Sequence, residues 1–304
     1  MTPTTNRIPA KSNQSKLIDK SIPLVLMLIA SVSIITSLGI VLTLLVDAFH
    51  FFSEVPFKEI FSIELEPLKA ENPKFGFLPI IMGTITTSLI AMAVAIPIGL
   101  TAAIYLSEFA TTQQRKILKP VIELLAGIPT IVYGFFAYSF VTPLLMKLIP
   151  TLESKNALSP GIVMGIMIIP IITSLSEDSM NAVPNSIREA ALGLGSTKLE
   201  TAIKVIVPAA ISGIIASFVL GISRAIGETM IVTIASGSSK TFTTDITQPI
   251  QTMTAYIVEF TSGDAGSGTI GYYSLYAVGL LLFIFTFLMN MFARFIIKKY
   301  RKEY

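Results

Sequence analysis

The sequence contains no cysteine, one histidine and few charged residues for its length. Without cysteine there can be no disulfide scaffold and no thiolate metal site. His50 alone cannot form a histidine-rich metal site, and its place just past an apolar run is typical of a side chain at a membrane interface. The formal net charge of +3 is too small to indicate nucleic acid as a partner. We therefore predict no metal site in this chain and no nucleic-acid binding.

The scarcity of charge also indicates the solvent in which the protein folds. Charged residues make up 13% of the 304 residues, and hydrophobic residues make up 52%. Soluble globular chains average about 25% charged residues. A soluble domain of this length would have too little polar surface to cover its core. The composition therefore predicts an integral membrane protein.

Six long apolar stretches define the predicted architecture. A helix needs about 20 apolar residues to cross a hydrocarbon layer roughly 30 Å thick. Residues 1–20, rich in Thr, Ser, Asn and Lys, are predicted to be a disordered tail, and residues 21–304 a single transmembrane domain. The first stretch is longer than the apolar region of a signal peptide and lacks an A-x-A site, so we expect it to remain in the protein. We predict an all-α integral membrane fold with six transmembrane helices, over residues 22–46, 77–106, 124–146, 157–176, 209–235 and 270–293.

The distribution of Lys and Arg predicts the orientation of these helices. Basic residues gather in the N-terminal tail, in the second and fourth loops and at the C-terminus, which fall on one side when six spans are threaded in order. The opposite side receives an acidic loop over residues 47–74. By the positive-inside rule, both termini are expected in the cytoplasm.

The predicted cytoplasmic loop over residues 177–208 carries a spaced motif. Glu189-Ala190-Ala191 is followed after three residues by Gly195, and after nine more by Val205-Ile206-Val207-Pro208. The pattern resembles the EAA loop of ABC-importer permeases, E-A-A-x3-G-x9-I-x-L-P, with two valines replacing isoleucine and leucine. In that family the loop folds as short coupling helices that dock into a groove on a cytoplasmic ATPase. The alternative is an ordinary amphipathic cytoplasmic loop. The resemblance implies that the residues coupled to the ATPase are Glu189, Ala190, Ala191, Gly195 and Pro208.

Three further stretches narrow the resemblance to permease subunits of phosphate importers, C-type. They lie over residues 75–84, 124–134 and 223–230. The resemblance implies a bacterial inner-membrane location, a second related permease subunit of the A-type, two cytoplasmic ATP-binding subunits and an extracytoplasmic phosphate-binding protein. The loops over residues 47–74 and 236–271 are long enough to receive that binding protein. The chain has no nucleotide motif, so we expect it to be a non-enzymatic transport subunit with no cofactor and no catalytic residues of its own.

Arg224 and Glu228 are the ionisable residues deep in a predicted span. A charge there is costly, so such residues face protein or water and mark transport paths. Their i,i+4 spacing allows an ion pair along one helix, on the arc of a stripe of small residues at positions 209, 213, 217 and 221. We interpret Arg224 as the group that binds phosphate oxygens and Glu228 as the group that holds or screens it. The alternative is a structural salt bridge between two subunits.

A helix bend is predicted in the third span, at Gly127 and Pro129, with Gly134 one to two turns later. We interpret it as a functional bend in a helix that lines a transport path, and the alternative is a packing kink. Proline inside a membrane helix frees a backbone carbonyl that must find another partner. The glycine-rich stretch over residues 263–268 lacks the Gly-Lys-Ser/Thr ending of a P-loop, and we interpret it as a flexible external loop.

Two other functions remain open from the sequence. The first is a permease of the same class for another oxyanion, such as sulfate or molybdate. The second is an ion-coupled secondary carrier that works without an ATPase. An intramembrane enzyme is disfavoured, because no Ser/His, paired Asp or H-E-x-x-H arrangement is present to carry catalysis.

Overall fold

The computed structural model describes residues 13–69, 71–264, 266 and 268–300, with side chains from residue 21 to residue 298 in those ranges except at residue 264. The described chain is mostly helical. Its helices are α1 (Asn13–Glu54), α2 (Phe57–Ile60), α3 (Leu78–Ile104), α4 (Thr112–Gly127), α5 (Thr130–Phe136), α6 (Thr142–Leu148), α7 (Leu158–Asn181), α8 (Asn185–Gly193), α9 (Lys198–Thr201), α10 (Val207–Ala209), α11 (Ile211–Ile226), α12 (Met230–Ala235), α13 (Met253–Glu259) and α14 (Ile270–Tyr300). Wider π-helical turns extend or join some of them, over Tyr105–Phe109, Ala137–Val141 and Ala202–Ile206. Two short strands, β1 (Leu65–Glu66) and β2 (Lys74–Phe75), form an antiparallel pair.

The predicted all-α membrane fold is confirmed. Five helical segments are long and apolar enough to cross a bilayer, and a bent pair of segments makes a sixth when it is taken as one span. The five are Ser21–Glu54, Leu78–Phe109, Thr130–Leu148, Leu158–Asn181 and Ile270–Lys298. The bent pair is Lys198–Ala209 with Ile211–Ile226, and the helix axis bends by 73° between them.

The boundary of the N-terminal tail differs from the prediction. Residues 1–12 lie outside the described chain, but residues 13–20 belong to α1 and are not disordered. These eight residues contain neither proline nor glycine. Extending an existing helix adds one hydrogen bond for each residue that is fixed, so α1 continues beyond the apolar stretch that identified it.

The third span begins later than predicted. Residues 124–127 belong to α4, an amphipathic helix whose start is capped reciprocally by Thr111 and Gln114. Ile128 adopts an extended conformation before Pro129, and the membrane-spanning segment starts at Thr130. The residue before a proline is sterically biased away from the helical region, which explains the break.

The fifth span is not one continuous helix over residues 209–235. The chain bends between α10 and α11, and α11 ends at Ile226. Gly227 closes this helix, and a new short helix, α12, starts at Met230. The break falls between the two charged residues that were predicted to share one helix face.

Helices α3, α7 and α11 pack side by side in the membrane core. Gly165 of α7 lies so close to the backbone of Ala91 in α3 that a Cβ there would be 2.7 Å from its carbonyl oxygen. On the other side of α7, the Ser176 and Ser217 hydroxyls are hydrogen-bonded at 2.8 Å. Small residues allow this close approach, and the hydroxyl pair satisfies polar groups that lipid cannot.

An aromatic cluster closes the opposite end of the molecule from the motif loop. The C-terminal part of α1, the β1–β2 pair and α13 contribute to it. The region over residues 47–74, predicted as a loop, therefore contains the end of α1, α2 and the first strand. The largest aromatic members are Phe51, Phe75, Phe77, Tyr256 and Phe260.

Candidate functional site

Arg224 lies in the last turn of α11 with its side chain exposed. Gly221, one turn earlier, contacts Ile168 near the middle of α7, so Arg224 lies deep within the helical bundle's span. Within the described residues, Arg224 has no carboxylate partner in an ion pair. It borders a groove of about 510 Å³ lined by Ile171, Leu220, Ser223, Arg224, Gly227 and Glu228.

Glu228 is buried, and its side chain caps the start of the following helix, α12. Its Oε1 accepts hydrogen bonds from the backbone N–H groups of Met230 at 3.1 Å and Ile231 at 3.4 Å. Its backbone carbonyl accepts a hydrogen bond from the Thr254 hydroxyl at 2.7 Å. A carboxylate is favoured there because the first N–H groups of a helix have no partner within the helix.

The ion pair that the i,i+4 spacing allows is therefore not formed in the described chain. The helix ends at Gly227, so the regular spacing that would bring Arg224 and Glu228 together is lost. The two residues still share one groove, with the carboxylate turned toward α12. The role of Arg224 and Glu228 in a substrate path stays a prediction.

The predicted stripe of small residues and the Arg224 side chain face different directions on α11. Ser217 and Gly221 are buried against α7, and Gly213 faces Ser179 of the same helix. Position 209 precedes the bend and does not continue the stripe. The stripe packs α11 within this chain, and the exposed Arg224 faces another direction.

Polar groups from α14 extend this surface. The Ser223 hydroxyl lies 3.3 Å from Oδ1 of Asn290, whose amide nitrogen donates to the Thr286 carbonyl at 2.9 Å. Asn290 is exposed. Sequence reasoning missed it, because a single asparagine in an apolar helix gives no signal without knowledge of the helix it faces.

The chain breaks between α4 and α5, where Ile128 and Pro129 are not helical. The Tyr133 hydroxyl reaches across the break and donates to the Leu125 carbonyl at 2.7 Å. Gly134 brings α5 against α12, where a Cβ would lie 3.0 Å from the Met230 carbonyl oxygen. The bend therefore adjoins the helix that Glu228 caps. Gly127 has no neighbouring atom within 4 Å of a Cβ, so packing does not require glycine at that position.

The motif loop forms a compact helical unit. Helix α8 carries exposed Glu189 and Ala190 and buried Ala191, and Gly195 turns the chain with a positive φ of +92°. A reciprocal capping box between Thr197 and Glu200 starts α9.

The end of the loop and its exposed leucines complete this unit. Exposed Pro208 lies in α10, just before the bend. Leu194 is 89% exposed, and Leu192 and Leu199 are also exposed. These three leucines leave apolar side chains uncovered in the described chain.

A buried carboxylate anchors α4 at this end of the bundle. Glu177, fully buried near the end of α7, lies 2.5 Å from Nη2 of Arg115 and 3.0 Å from Nζ of Lys119. Lys119 also reaches Asp178 at 3.2 Å. Burial by itself would lower the pKa of Lys119, but its hydrogen bonds to Glu177 and Asp178 raise that pKa above its usual value.

The described residues contain no group of three or more His, Asp or Glu side chains that could hold a metal ion. The glycine-rich stretch over residues 263–268 is described only in part. In the described part, Gly263 and Gly268 have positive φ.

Comparison with known proteins places this architecture among transport components. Residues 95–302 match the family described as "Binding-protein-dependent transport system inner membrane component". A "Phosphate transport system permease protein PstC" of Mesorhizobium japonicum is 33% identical over 281 residues, covering 86% of this chain and 84% of the relative. The protein of the same name from Xylella fastidiosa is 36% identical, covering 80% and 79%. A "Probable ABC transporter permease protein YqgH" of Bacillus subtilis is 33% identical, covering 79% and 77%.

Solved structures share the fold at low sequence identity. A bacterial ABC transporter that imports alginate matches with a TM-score of 0.63 at 13% identity, over 96% of this chain and 100% of that one. The MetNI methionine ABC transporter in an inward-facing conformation matches with a TM-score of 0.55 at 13% identity, over 72% and 92%. At such identity the likeness concerns the fold alone.

Proposed function

Because the chain belongs to the family of binding-protein-dependent inner-membrane transport components, we propose that it is the permease subunit through which an ATP-driven importer moves inorganic phosphate. It is a multi-pass membrane protein of the ABC-permease class. Relatives named as phosphate permeases support phosphate over sulfate or molybdate. They also favour an importer over a secondary carrier.

The observation that carries this proposal is the exposed Arg224 in the middle of the bundle, which has no carboxylate partner among the described residues. An arginine facing lipid at that depth would cost about 2.5–3.5 kcal/mol on insertion scales, so its surface is covered by protein or water. A guanidinium presents parallel N–H donors that match phosphate oxygens. Glu228 is directed toward α12, which leaves the charge of Arg224 available to an anion.

A second, related permease subunit completes this site in our proposal. One guanidinium does not balance a divalent phosphate, so a further cation is expected from the partner. The groove beside Arg224 is open along one side of the chain, and Leu220 there is half exposed. The partner's corresponding surface would close the path and shield both charges from lipid.

ATP hydrolysis belongs to two separate cytoplasmic subunits in this proposal. The loop bearing Glu189, Gly195 and the exposed Leu194 is the docking surface for one of them. With both termini on the same cytoplasmic side, the aromatic cluster and the β1–β2 pair face outward, where a phosphate-binding protein delivers its cargo. No cofactor is assigned to this chain.

The experiment is uptake of labelled phosphate by cells that lack their own high-affinity system and express this chain with its partner subunits. We expect ATP-dependent uptake that excess sulfate does not inhibit. The Arg224→Gln variant should lose at least 90% of this uptake while the complex still assembles, because the amide removes the charge but keeps polarity. Arg294→Gln, at an exposed position near the far end of α14, is the matched control and should transport normally.

Two results would argue against this proposal. Uptake that sulfate or molybdate abolishes would move the substrate to another oxyanion and leave the importer class standing. Normal phosphate uptake by the assembled Arg224→Gln complex would remove Arg224 from the path.

A further inference from the structure

Arg188, the residue before Glu189, connects three elements at the cytoplasmic end of the bundle. Its Nη2 lies 3.1 Å from Oε1 of Glu108, and its Nε donates to both oxygens of the same carboxylate at 3.3 and 3.4 Å. Its Nη1 donates to the Val183 carbonyl at 2.6 Å and to Oδ1 of Asn185 at 3.1 Å. Its Nη2 also donates to the Met180 carbonyl at 2.6 Å.

The pair is shielded from solvent. The side chains of Arg188 and Glu108 are 17% and 11% exposed. Nearby in the same loop, Lys204 and Glu200 form a pair at 3.2 Å whose side chains are 71% and 46% exposed. Water screens the exposed pair, whereas breaking the shielded pair would leave a charge without a partner.

The other bonds of Arg188 hold the end of α7. The last carbonyl groups of a helix have no partner within it, and a positive charge at that end is favourable. Met180 belongs to the last turn of α7, and Val183 follows it. One guanidinium therefore fixes the end of α7, the start of α8 and, through Glu108, the end of the second span.

Glu108 lies in the π-helical turn Tyr105–Phe109 that ends this span. Such turns are irregular points of a helix and frequently occur at functional sites. From there α3 runs against α7, where the Thr173 hydroxyl donates to the Gly99 carbonyl at 3.2 Å. Helix α7 in turn holds α11 through the Ser176–Ser217 pair, and α11 carries Arg224.

We propose that Arg188 is a positioning residue that makes α8 move as one body with the ends of α3 and α7, so that displacement of the loop by the ATPase reaches the helices around Arg224. This inference rests on the proposed function, since it assumes an ATPase that docks on α8. The flexible alternative is a loop that moves on its own while the bundle stays still. Two contacts of Arg188 favour joint movement, because Glu108 and Met180 belong to the ends of the second span and of α7, outside α8.

The test uses the complete complex of both permeases, the ATPase subunits and the binding protein, reconstituted in lipid vesicles. The measurement is the number of phosphate ions imported for each ATP hydrolysed. We expect Arg188→Ala to lower this ratio at least tenfold in assembled complexes, and Glu108→Gln to lower it in the same direction. The double variant should be no worse than Arg188→Ala, because both changes remove the same contact. Lys204→Ala, which breaks the exposed pair, should keep the normal ratio.

The number of phosphate ions imported for each ATP distinguishes a role of Arg188 in coupling from a role in folding. A purely structural role would reduce the amount of complex, lowering transport and hydrolysis together with no change in their ratio. A normal ratio in either assembled variant would overturn the inference, and so would failure of both variants to assemble, since the pair would then serve folding alone. A wild-type complex that imports nothing with ATP would instead refute the proposed function, and the inference would fall with it.

Discussion

Arg224 and Glu228 lie in the same groove but have different partners. Arg224 is exposed and without a carboxylate partner in the described chain, whereas the Glu228 side chain is bound by two backbone N–H groups. Among the described residues, the charge of Arg224 is thus not neutralised by an ion pair. The four-residue spacing alone indicated a pair, and the break at Gly227 separates the two functions.

This separation predicts different outcomes for two substitutions of Glu228. Glu228→Gln keeps a carbonyl oxygen that can accept from Met230 and Ile231, so it should retain most of the stability of the complex. Glu228→Ala removes the acceptor and should lower stability by about 1 kcal/mol, the usual cost of losing a helix cap. The measurement is thermal unfolding of the detergent-purified complex.

An equal loss of stability in both variants would contradict this assignment. If Glu228 acted mainly as the counter-charge of Arg224, the amide would be as damaging as alanine, because both remove the charge. Phosphate uptake by the two variants, measured beside their stability, distinguishes a capping role from a counter-charge.

At the scale of helices, glycines decide which elements touch. Gly134 permits α5 to lie against the backbone of α12, while Gly127 at the end of α4 has open space around it. Both belong to the segment that suggested a functional bend. The bend itself is set by Pro129 and the extended Ile128, and the Tyr133 hydroxyl bonds a carbonyl of the last turn of α4.

The two glycines therefore predict opposite responses to alanine. Gly134→Ala places a methyl group 3.0 Å from a backbone oxygen and should destabilise the protein by about 1–3 kcal/mol, as overpacking usually does. Gly127→Ala meets no atom and should be neutral or stabilise α4 by about 0.5–1 kcal/mol. Thermal unfolding of the two variants in one detergent gives the comparison, and equal loss in both would contradict the packing of α5 on α12.

Many of the helix positions were predictable from the sequence, and the exceptions have physical causes. Apolar length alone located the second, fourth and sixth spans, because only a helix satisfies its backbone in lipid. The division near Gly227 was not predictable, since residues on both sides of it are equally apolar. Residues 13–20 were misjudged because their polar composition conceals that they extend α1. The contacts of Arg188 and Glu177 join positions far apart in the sequence, so no local pattern reveals them.

For the whole molecule, the surface around Arg224 is where a second permease is expected. We predict that a cysteine placed at Leu220, half exposed beside the groove, will carry a photoactivatable cross-linker into the partner subunit. The natural chain has no cysteine, so the label is confined to that position. Leu28, similarly exposed on α1, is the matched control and should label lipid.

Mass spectrometry of the cross-linked products identifies what is labelled from each position. Capture of the related permease from position 220 and of lipid from position 28 would support the shared path. Labelling of lipid alone from both positions would place Arg224 on an outer face and contradict the proposed site.

The ion pairs of buried Glu177 with Arg115 and Lys119 have a consequence for the synthesis of the chain. The two carboxylates that pair with Lys119 are synthesised after it: Asp178 lies 59 residues further along the chain, next to Glu177. At roughly 5–20 residues per second of synthesis, this interval lasts about 3–12 s. During it, the basic residues of amphipathic α4 have neither carboxylate. If this loop faces the cytoplasm, as we propose, the anionic headgroups of that leaflet would attract them. Nascent α4 would therefore rest on the membrane surface and exchange lipid headgroups for Glu177 once α7 has inserted.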